Sequence, residues 1–148
     1  MDKSKALIIG AGSDIASTVA SELLESGAFE RIHLISRSPI AYRLKDHGSV
    51  VSEHICNNKK NDIKKVLVEI YRSGQAASKI IICNGILHSE KVFPERRLEQ
   101  VEAESLESIF HVNAIIPMLW ISELITFLSV SYPSVIAVHS ARVGSITD

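Results

Sequence analysis

The chain has 148 residues, 46% hydrophobic and 22% charged, with a formal net charge of −1, which fits one domain with a hydrophobic core and gives no basic patch for nucleic acid. Its two cysteines, Cys56 and Cys83, are far apart and in no metal-ligand spacing, which argues against a disulfide scaffold and a zinc site. No uninterrupted apolar run reaches the length of a bilayer and no signal-peptide core follows Met1, so we expect a soluble cytoplasmic protein without a membrane partner.

Apolar runs alternate with segments of helical periodicity along the chain. In chain order, the pattern predicts a strand at 6–9, a helix at 13–26, a strand at 32–35, a weak helix at 38–46, a strand at 50–55, a helix at 62–72, a strand at 79–83, a long helix at 106–130 and a strand at 135–139. Strands joined by crossover helices form a parallel sheet, because right-handed crossovers place helices on both faces. We therefore expect a doubly wound α/β fold in a single domain, residues 1–148.

A glycine turn, Gly10-Ala11-Gly12-Ser13-Asp14-Ile15-Ala16, joins the first strand to the first helix. Glycines remove the Cβ atoms that block close approach, and a helix N-terminus adds partial positive charge, so such a turn brings backbone N–H groups to a phosphate. Ligands of doubly wound sheets also bind beyond the carboxyl ends of the strands. The candidate nucleotide contacts are Gly10, Gly12, Ser13, Asp14 and Ile15; the alternative is a tight turn without a ligand.

The second strand is followed by Ser36-Arg37-Ser38. An acidic residue at this place would accept hydrogen bonds from the adenosine ribose and repel a 2′-phosphate. Here two hydroxyls and a guanidinium suit a phosphate dianion. Ser36 and Arg37 therefore favour NADP(H) over NAD(H), unless Arg37 simply faces solvent.

Polar or small residues also follow the third and fourth strands. Asn57 comes after the third strand, where its side chain would touch the adenine, and Cys83, Asn84 and Gly85 end the fourth, where backbone would approach the cofactor. Either segment is also compatible with a plain turn.

The long helix contains Pro117, which lacks an N–H, so the carbonyl of Asn113 is expected to lose its helical partner. We expect a kink and an ordered water beside Asn113, or an Asn113 side chain that caps the kink. After the last strand, Ser140 is placed to hydrogen-bond a substrate carbonyl. A Ser–His hydrolase is disfavoured, because His139 and Ser140 point to opposite faces and no Gly-x-Ser-x-Gly elbow is present.

In this order the segments resemble the short-chain dehydrogenase/reductase family, and within it the C-factor-like and sniffer-like carbonyl reductases. The turn at 10–16 is similar to the family's Thr-Gly-x-x-x-Gly-x-Gly, and 82–85 to its Asn-Asn-Ala-Gly element. Segments 112–114 and 140–145 are similar to those that carry its catalytic Asn and Ser. The resemblance implies a Rossmann-like sheet of order 3-2-1-4-5, an open fifth strand, and Asn113 and Ser140 as catalytic residues, although an alignment with Ala141 in the Ser position stays open.

The departures from the family bear on activity. Asp14 and Ala16 replace two glycines, and a carboxylate at position 14 would weaken diphosphate binding if it pointed inward. The family's catalytic Tyr-x-x-x-Lys follows the Ser segment, whereas no Tyr of this chain has a Lys four residues later. Since general acid–base catalysis is worth about 10²–10⁴-fold, we expect the chain to be a cofactor-binding portion with little reductase activity.

Two readings of the function stay open: a carbonyl or alcohol oxidoreductase, and a non-catalytic NADP-binding or interaction protein. The family resemblance implies a small carbonyl or alcohol as substrate. The apolar fifth strand at a sheet edge suggests a homo-oligomer. Six apolar residues of the long helix fit either a dimer contact or packing on the sheet: Leu106, Ile109, Phe110, Leu119, Trp120 and Leu124.

Overall fold

The structure is a computed structural model and describes residues 4–42, 44, 49–86, 98–128 and 132–139. The strands are β1 (Ser4–Ile9), β2 (Phe29–Ser36), β3 (Val51–Ile55), β4 (Ala77–Ile82) and β5 (Val135–Val138). The helices are α1 (Asp14–Glu25), α2 (Lys60–Tyr71), α3 (Ala103–Phe110) and α4 (Ile116–Leu124), with a π-helical turn at His111–Ile115 and 3₁₀ turns at Leu98–Gln100 and Ile125–Phe127.

The five strands form one parallel sheet in the order β3-β2-β1-β4-β5, which confirms the expected topology. The last four residues of the central strand β1, Ala6 through Ile9, are all apolar and have no exposed surface. A strand buried on both faces needs such a continuous apolar run, because helices cover both sides of the sheet.

Helices pack on both faces of this sheet. Alternate strand residues Ala6, Ile8, Ile32 and Leu34 face α1, and the residues between them face α2 and α4. Helix α1 begins at the N-cap Ser13, whose side chain accepts from the Ala16 amide.

The long helix packs on the sheet through its central part. Ile116, Trp120 and Leu124 are buried in the core with β1 and β4, so packing on the sheet accounts for Trp120 and Leu124. By length and composition alone, the segment Ala103–Phe127 is long and apolar enough to cross a membrane. Within this segment, the side chains of Ile116, Trp120 and Leu124 pack in the hydrophobic core.

Two expectations about helices differ from the structure. Where the segment 38–46 is described, at 38–42 and 44, it is not helical; Pro39 and the residues beside it lie in bends and irregular backbone. The predicted helix 106–130 is interrupted by the π-helical turn, in which the Ile116 amide bonds to the His111 carbonyl, five residues back. The wide turn ends at Ile115, two residues before Pro117, whose missing N–H removes one α-helical hydrogen bond at this place.

Candidate dinucleotide-binding site

A crevice of about 250 Å³ lies where β1, β2 and β4 end. Its wall combines the glycine turn, the residues after β2, β3 and β4, and the start of the π-helical turn and α4. The lining residues are Gly10, Gly12, Ser13, Ile35, Ser36, Arg37, Ser38, Asn58, Cys83, Asn84, Gly85, Ile86, Val112 and Ile116.

Gly10 has a structural role at the floor of this crevice. Its φ of +79° is one that L side chains rarely adopt, and a Cβ there would lie 2.8 Å from the Asn84 amide nitrogen. The amides of Gly10 and Ala11 both donate to the Ile35 carbonyl at 2.9 Å. These two amides therefore hold the turn against β2 and are not free for a ligand.

The amides of Gly12, Ser13, Asp14 and Ile15 have no acceptor among the described residues. They lie at the N-terminus of α1, where the helix dipole concentrates partial positive charge. A Cβ on Gly12 would meet nothing within 4 Å, so bare backbone faces open space in the crevice. The arrangement suits an anion, and it narrows the predicted phosphate-binding backbone to positions 12–15.

The side chains of the turn take different positions around these amides. Ser13 lines the crevice and caps α1. Asp14 is exposed and Ile15 is 48% exposed, and neither lines the crevice. Asp14 therefore does not fill the space beside the free amides.

The rim after β2 carries the only positive charge among the lining residues. The Ser36 hydroxyl donates to the Ser38 carbonyl at 2.5 Å, which shapes the bend and commits the Ser36 donor. The Arg37 side chain is exposed and takes part in no ion pair among the described residues. A guanidinium in this state is available for a phosphate.

After β3 the structure places Asn58, rather than the predicted Asn57, in the crevice wall. Asn57 is exposed and does not line the crevice. Asn58 is 8% exposed, has a φ of +61°, and accepts a hydrogen bond from Trp120 Nε1 at 2.8 Å. The signal in the sequence was the Asn-Asn pair, because Asn tolerates the left-handed conformation better than other side-chain-bearing residues.

At the other side of β1, Cys83, Asn84 and Gly85 line the crevice as a group. Burial raises the pKa of the Cys83 thiol, so this group stays protonated and is a poor nucleophile. Asn84 Oδ1 is a buried acceptor without a partner among the described residues. The segment is therefore shaped for close packing rather than for covalent chemistry.

Asn113 lies in the π-helical turn and bonds the chain beyond β4. Its Oδ1 accepts from the Ile86 amide at 2.7 Å and its Nδ2 donates to the Ile86 carbonyl at 2.8 Å. The side chain therefore fixes the crevice wall at Ile86, a contact that the sequence reasoning did not foresee. Ser140 lies outside the described residues.

Tyr42 and Tyr71 have hydroxyls whose pKa values are too high for acid–base catalysis near neutral pH. Burial raises the pKa of Tyr71 to about 12, and burial, with Cys83 and Glu53 nearby, raises that of Tyr42 to about 12. Neither hydroxyl has a hydrogen-bond partner among the described residues. Arg37 and Cys83 are the titratable side chains in the described crevice wall, so this wall contains no group poised to donate a proton near neutral pH.

Solved structures of similar fold include two that contain a bound dinucleotide. ElxO with NADP bound superposes with a TM-score of 0.78 at 14% identity, over 96% of this chain and 57% of that chain. A short-chain dehydrogenase of Leptospira borgpetersenii with bound NAD⁺ gives 0.78 at 17% identity, over 99% of this chain and 55% of that one. Sniffer of Caenorhabditis elegans, described as a carbonyl reductase, gives 0.74 at 18% identity, over 100% and 67%.

The similarity at these identities shows the fold, the Rossmann-like sheet of the short-chain dehydrogenases/reductases. This chain spans a little over half the length of the ElxO and Leptospira proteins. No protein-family model matches the sequence, and no curated protein matches it.

Proposed function

We propose that this chain is the cofactor-binding part of an NADP(H)-dependent oxidoreductase of the short-chain dehydrogenase type, which reduces a carbonyl or oxidises an alcohol. The observation that carries the proposal is the set of four amides, at positions 12–15, that have no acceptor among the described residues. They meet the open space beside Gly12 at a helix N-terminus, which is where proteins bind a diphosphate. NADP- and NAD-bound proteins of the same fold support this reading.

The crevice wall fits the two ends of such a cofactor. Arg37, unpaired among the described residues, would bond a ribose 2′-phosphate, which favours NADP(H) over NAD(H). Beyond β4, the backbone at Gly85 and Ile86 would border the nicotinamide half, and Asn113 holds that backbone in place. When bound, the nicotinamide supplies the hydride for a carbonyl carbon. Ser140 is proposed to donate a hydrogen bond to the carbonyl oxygen.

The binding half of the proposal is tested by calorimetric titration with NADPH and NADH. We expect NADPH to bind at least tenfold more tightly, since charge-assisted bonds to a phosphate are worth about 1.5–3 kcal/mol. Tighter binding of NADH would overturn the role given to Arg37. A chain that binds neither cofactor would overturn the proposed function.

The catalytic half concerns the proton donor. The described crevice wall holds no group that donates a proton near neutral pH, and Tyr42 and Tyr71 are buried with raised pKa values. We therefore propose that the chain alone has little reductase activity. An assay with NADPH and small aldehydes or ketones tests this, and turnover comparable to that of a longer short-chain dehydrogenase would contradict it.

The lack of a proton donor in the described crevice wall also favours a second candidate, a non-catalytic NADP-binding protein. The two candidates differ in one measurable respect. A non-catalytic protein would bind NADPH but would reduce no carbonyl compound, even when the chain is purified together with the proteins that it assembles with in the cell. Reductase activity recovered from that assembly, and abolished by Ser140→Ala, would decide for the enzyme.

We also propose that the protein is soluble, cytoplasmic and self-associating. Phe110, Met118 and Ile125 of the long helical segment are each more than 60% exposed, and Val135 of the edge strand is 60% exposed. Apolar surface of this kind recruits partners. Light scattering that showed a stable, monodisperse monomer would contradict self-association.

A further inference from the structure

Trp120 and Asn58 join the core of the domain to the wall of the crevice. Trp120, the single tryptophan of the chain, has no exposed surface and lies on α4. Its Nε1–H donates at 2.8 Å to Oδ1 of Asn58, which lies between β3 and α2 and lines the crevice. A buried hydrogen bond therefore ties the side chain of a crevice residue to the packed core.

This bond fixes which end of the Asn58 amide is available to a ligand. An indole N–H is a donor only, so the atom that it meets must be the carbonyl oxygen of Asn58 and not its NH₂ group. The amide nitrogen, Nδ2, makes no hydrogen bond among the described residues. Nδ2 is thus the free polar atom of an Asn58 side chain whose orientation Trp120 determines.

The position of Asn58 in the sheet assigns it to one half of the crevice. It follows β3, and β3 is next to β2, whose end carries Arg37. The residues bordering the other half follow β4, on the opposite side of β1. With the diphosphate at positions 12–15 and the 2′-phosphate at Arg37, the atoms nearest Asn58 belong to the adenosine half.

We propose that Trp120 is a positioning residue that fixes Asn58 as a hydrogen-bond donor to the adenosine half of the bound dinucleotide. The inference rests on the proposed function and adds a specificity-determining contact to it. The acceptor is a ring nitrogen of the base or a ribose oxygen. The left-handed backbone of Asn58, with φ +61°, keeps the side chain beside the crevice.

The experiment measures the affinity of 2′,5′-ADP, a probe without the nicotinamide half, by calorimetry. The variants are Trp120→Phe, which removes the indole donor, Asn58→Gly, which tolerates the positive φ, and the two combined. We expect each single change to weaken binding about three- to tenfold, the worth of one hydrogen bond. We expect the double variant to be no weaker than the weaker single variant, because both changes remove one contact.

Two further measurements separate positioning from plain stability. The chain gives one indole N–H resonance, which we expect to shift on addition of 2′,5′-ADP in the wild type and to shift much less in Asn58→Gly. Tyr71→Phe is the matched control: it removes a buried hydroxyl, unpartnered among the described residues, from the hydrophobic cluster that contains Trp120. We expect it to leave 2′,5′-ADP affinity unchanged.

The outcomes distinguish this inference from the function on which it rests. A wild-type chain that binds neither NADPH nor 2′,5′-ADP overturns the proposed function. Wild-type binding with unchanged affinity in folded Asn58→Gly overturns the inference alone, and so do additive losses in the double variant. If Trp120→Phe fails to fold, Asn58→Gly and the indole resonance still decide.

Discussion

The side-chain amide of Asn113 pairs with both backbone polar groups of Ile86, at 2.7 Å to the amide and 2.8 Å to the carbonyl. The pair joins the π-helical turn to the segment beyond β4, 27 residues earlier in the chain. An Asn can replace a strand neighbour in this way because it carries one donor and one acceptor side by side. The wide turn therefore places a side chain where it holds the crevice wall.

Asn113→Ala removes both hydrogen bonds to Ile86. We expect a loss of about 1–2 kcal/mol in the free energy of unfolding, since each bond contributes about 0.5–1.5 kcal/mol and these are near the surface. Asn113→Asp keeps the acceptor for the Ile86 amide but puts a carboxylate oxygen against the Ile86 carbonyl, so its loss should be at least as large as that of Asn113→Ala. Urea denaturation measures both variants, and an Ala variant as stable as the wild type would contradict the role.

Substitutions at Gly10 and Gly12 are expected to change different properties, the stability of the fold at Gly10 and the affinity for the cofactor at Gly12. Gly10→Ala puts a Cβ 2.8 Å from the Asn84 amide nitrogen at a φ of +79°, so we expect a loss of about 2–4 kcal/mol in stability. Gly12→Ala meets nothing within 4 Å, so we expect stability within about 0.5 kcal/mol of wild type and NADPH affinity at least tenfold lower. Thermal unfolding and calorimetry check the pair. Equal effects on both properties would refute the division.

Arg37→Ala should weaken NADPH binding by roughly tenfold or more and leave NADH binding nearly unchanged, because only NADPH carries the 2′-phosphate. Arg72→Ala is the control, since Arg72 is exposed after α2 and does not line the crevice. The measurement is the ratio of the two dissociation constants. A ratio that Arg37→Ala leaves at its wild-type value would remove Arg37 from the cofactor site.

The stability of the fold should depend on pH through His33. Burial, with His54, Lys5 and Arg31 nearby, lowers the pKa of His33 to about 3, and its Nδ1 lies 2.9 Å from His54 Nε2. His33 takes up a proton more readily in the unfolded chain than in the folded one. The free energy of unfolding is therefore at its full value above about pH 6.5, and at lower pH it decreases by up to about 1.4 kcal/mol per pH unit.

Urea denaturation between about pH 7.5 and pH 5 measures this dependence. His33→Gln keeps a hydrogen-bonding side chain beside His54 and removes the titration, so we expect a flatter profile. Identical profiles for the variant and the wild type would show that His33 is not the group responsible.

The strands and their order could be predicted because their signals are local and strong. The apolar run Ala6–Ile9 forms most of β1, and Gly27, in the left-handed conformation, follows α1 as its position predicts. Strand alternation with crossover helices then leaves few topologies. The weak helix at 38–46 failed where it is described because its evidence was one Ser-Pro start, without a consistent apolar face.

The contacts of the site depended on geometry that spacing does not carry. Neighbouring residues Asn57 and Asn58 are equivalent in composition, and only the positive φ and the Trp120 bond place Asn58 in the wall. The Pro117 argument located the irregular turn and missed the Asn113 contact, because Ile86 is distant in sequence. Spacing alone does not distinguish the amides of the glycine turn, whereas in the structure the Ile35 carbonyl accepts hydrogen bonds from two of them, those of Gly10 and Ala11.

The most direct test of the dinucleotide site is to follow the backbone amide resonances of the chain during titration with NADP⁺. The account predicts large shifts at Gly12, Ser13, Asp14 and Ile15, whose amides lack acceptors among the described residues, and smaller ones at Gly10 and Ala11, whose amides already bond to Ile35. Saturation of the chain by NADP⁺ with no change at positions 12–15 would contradict it.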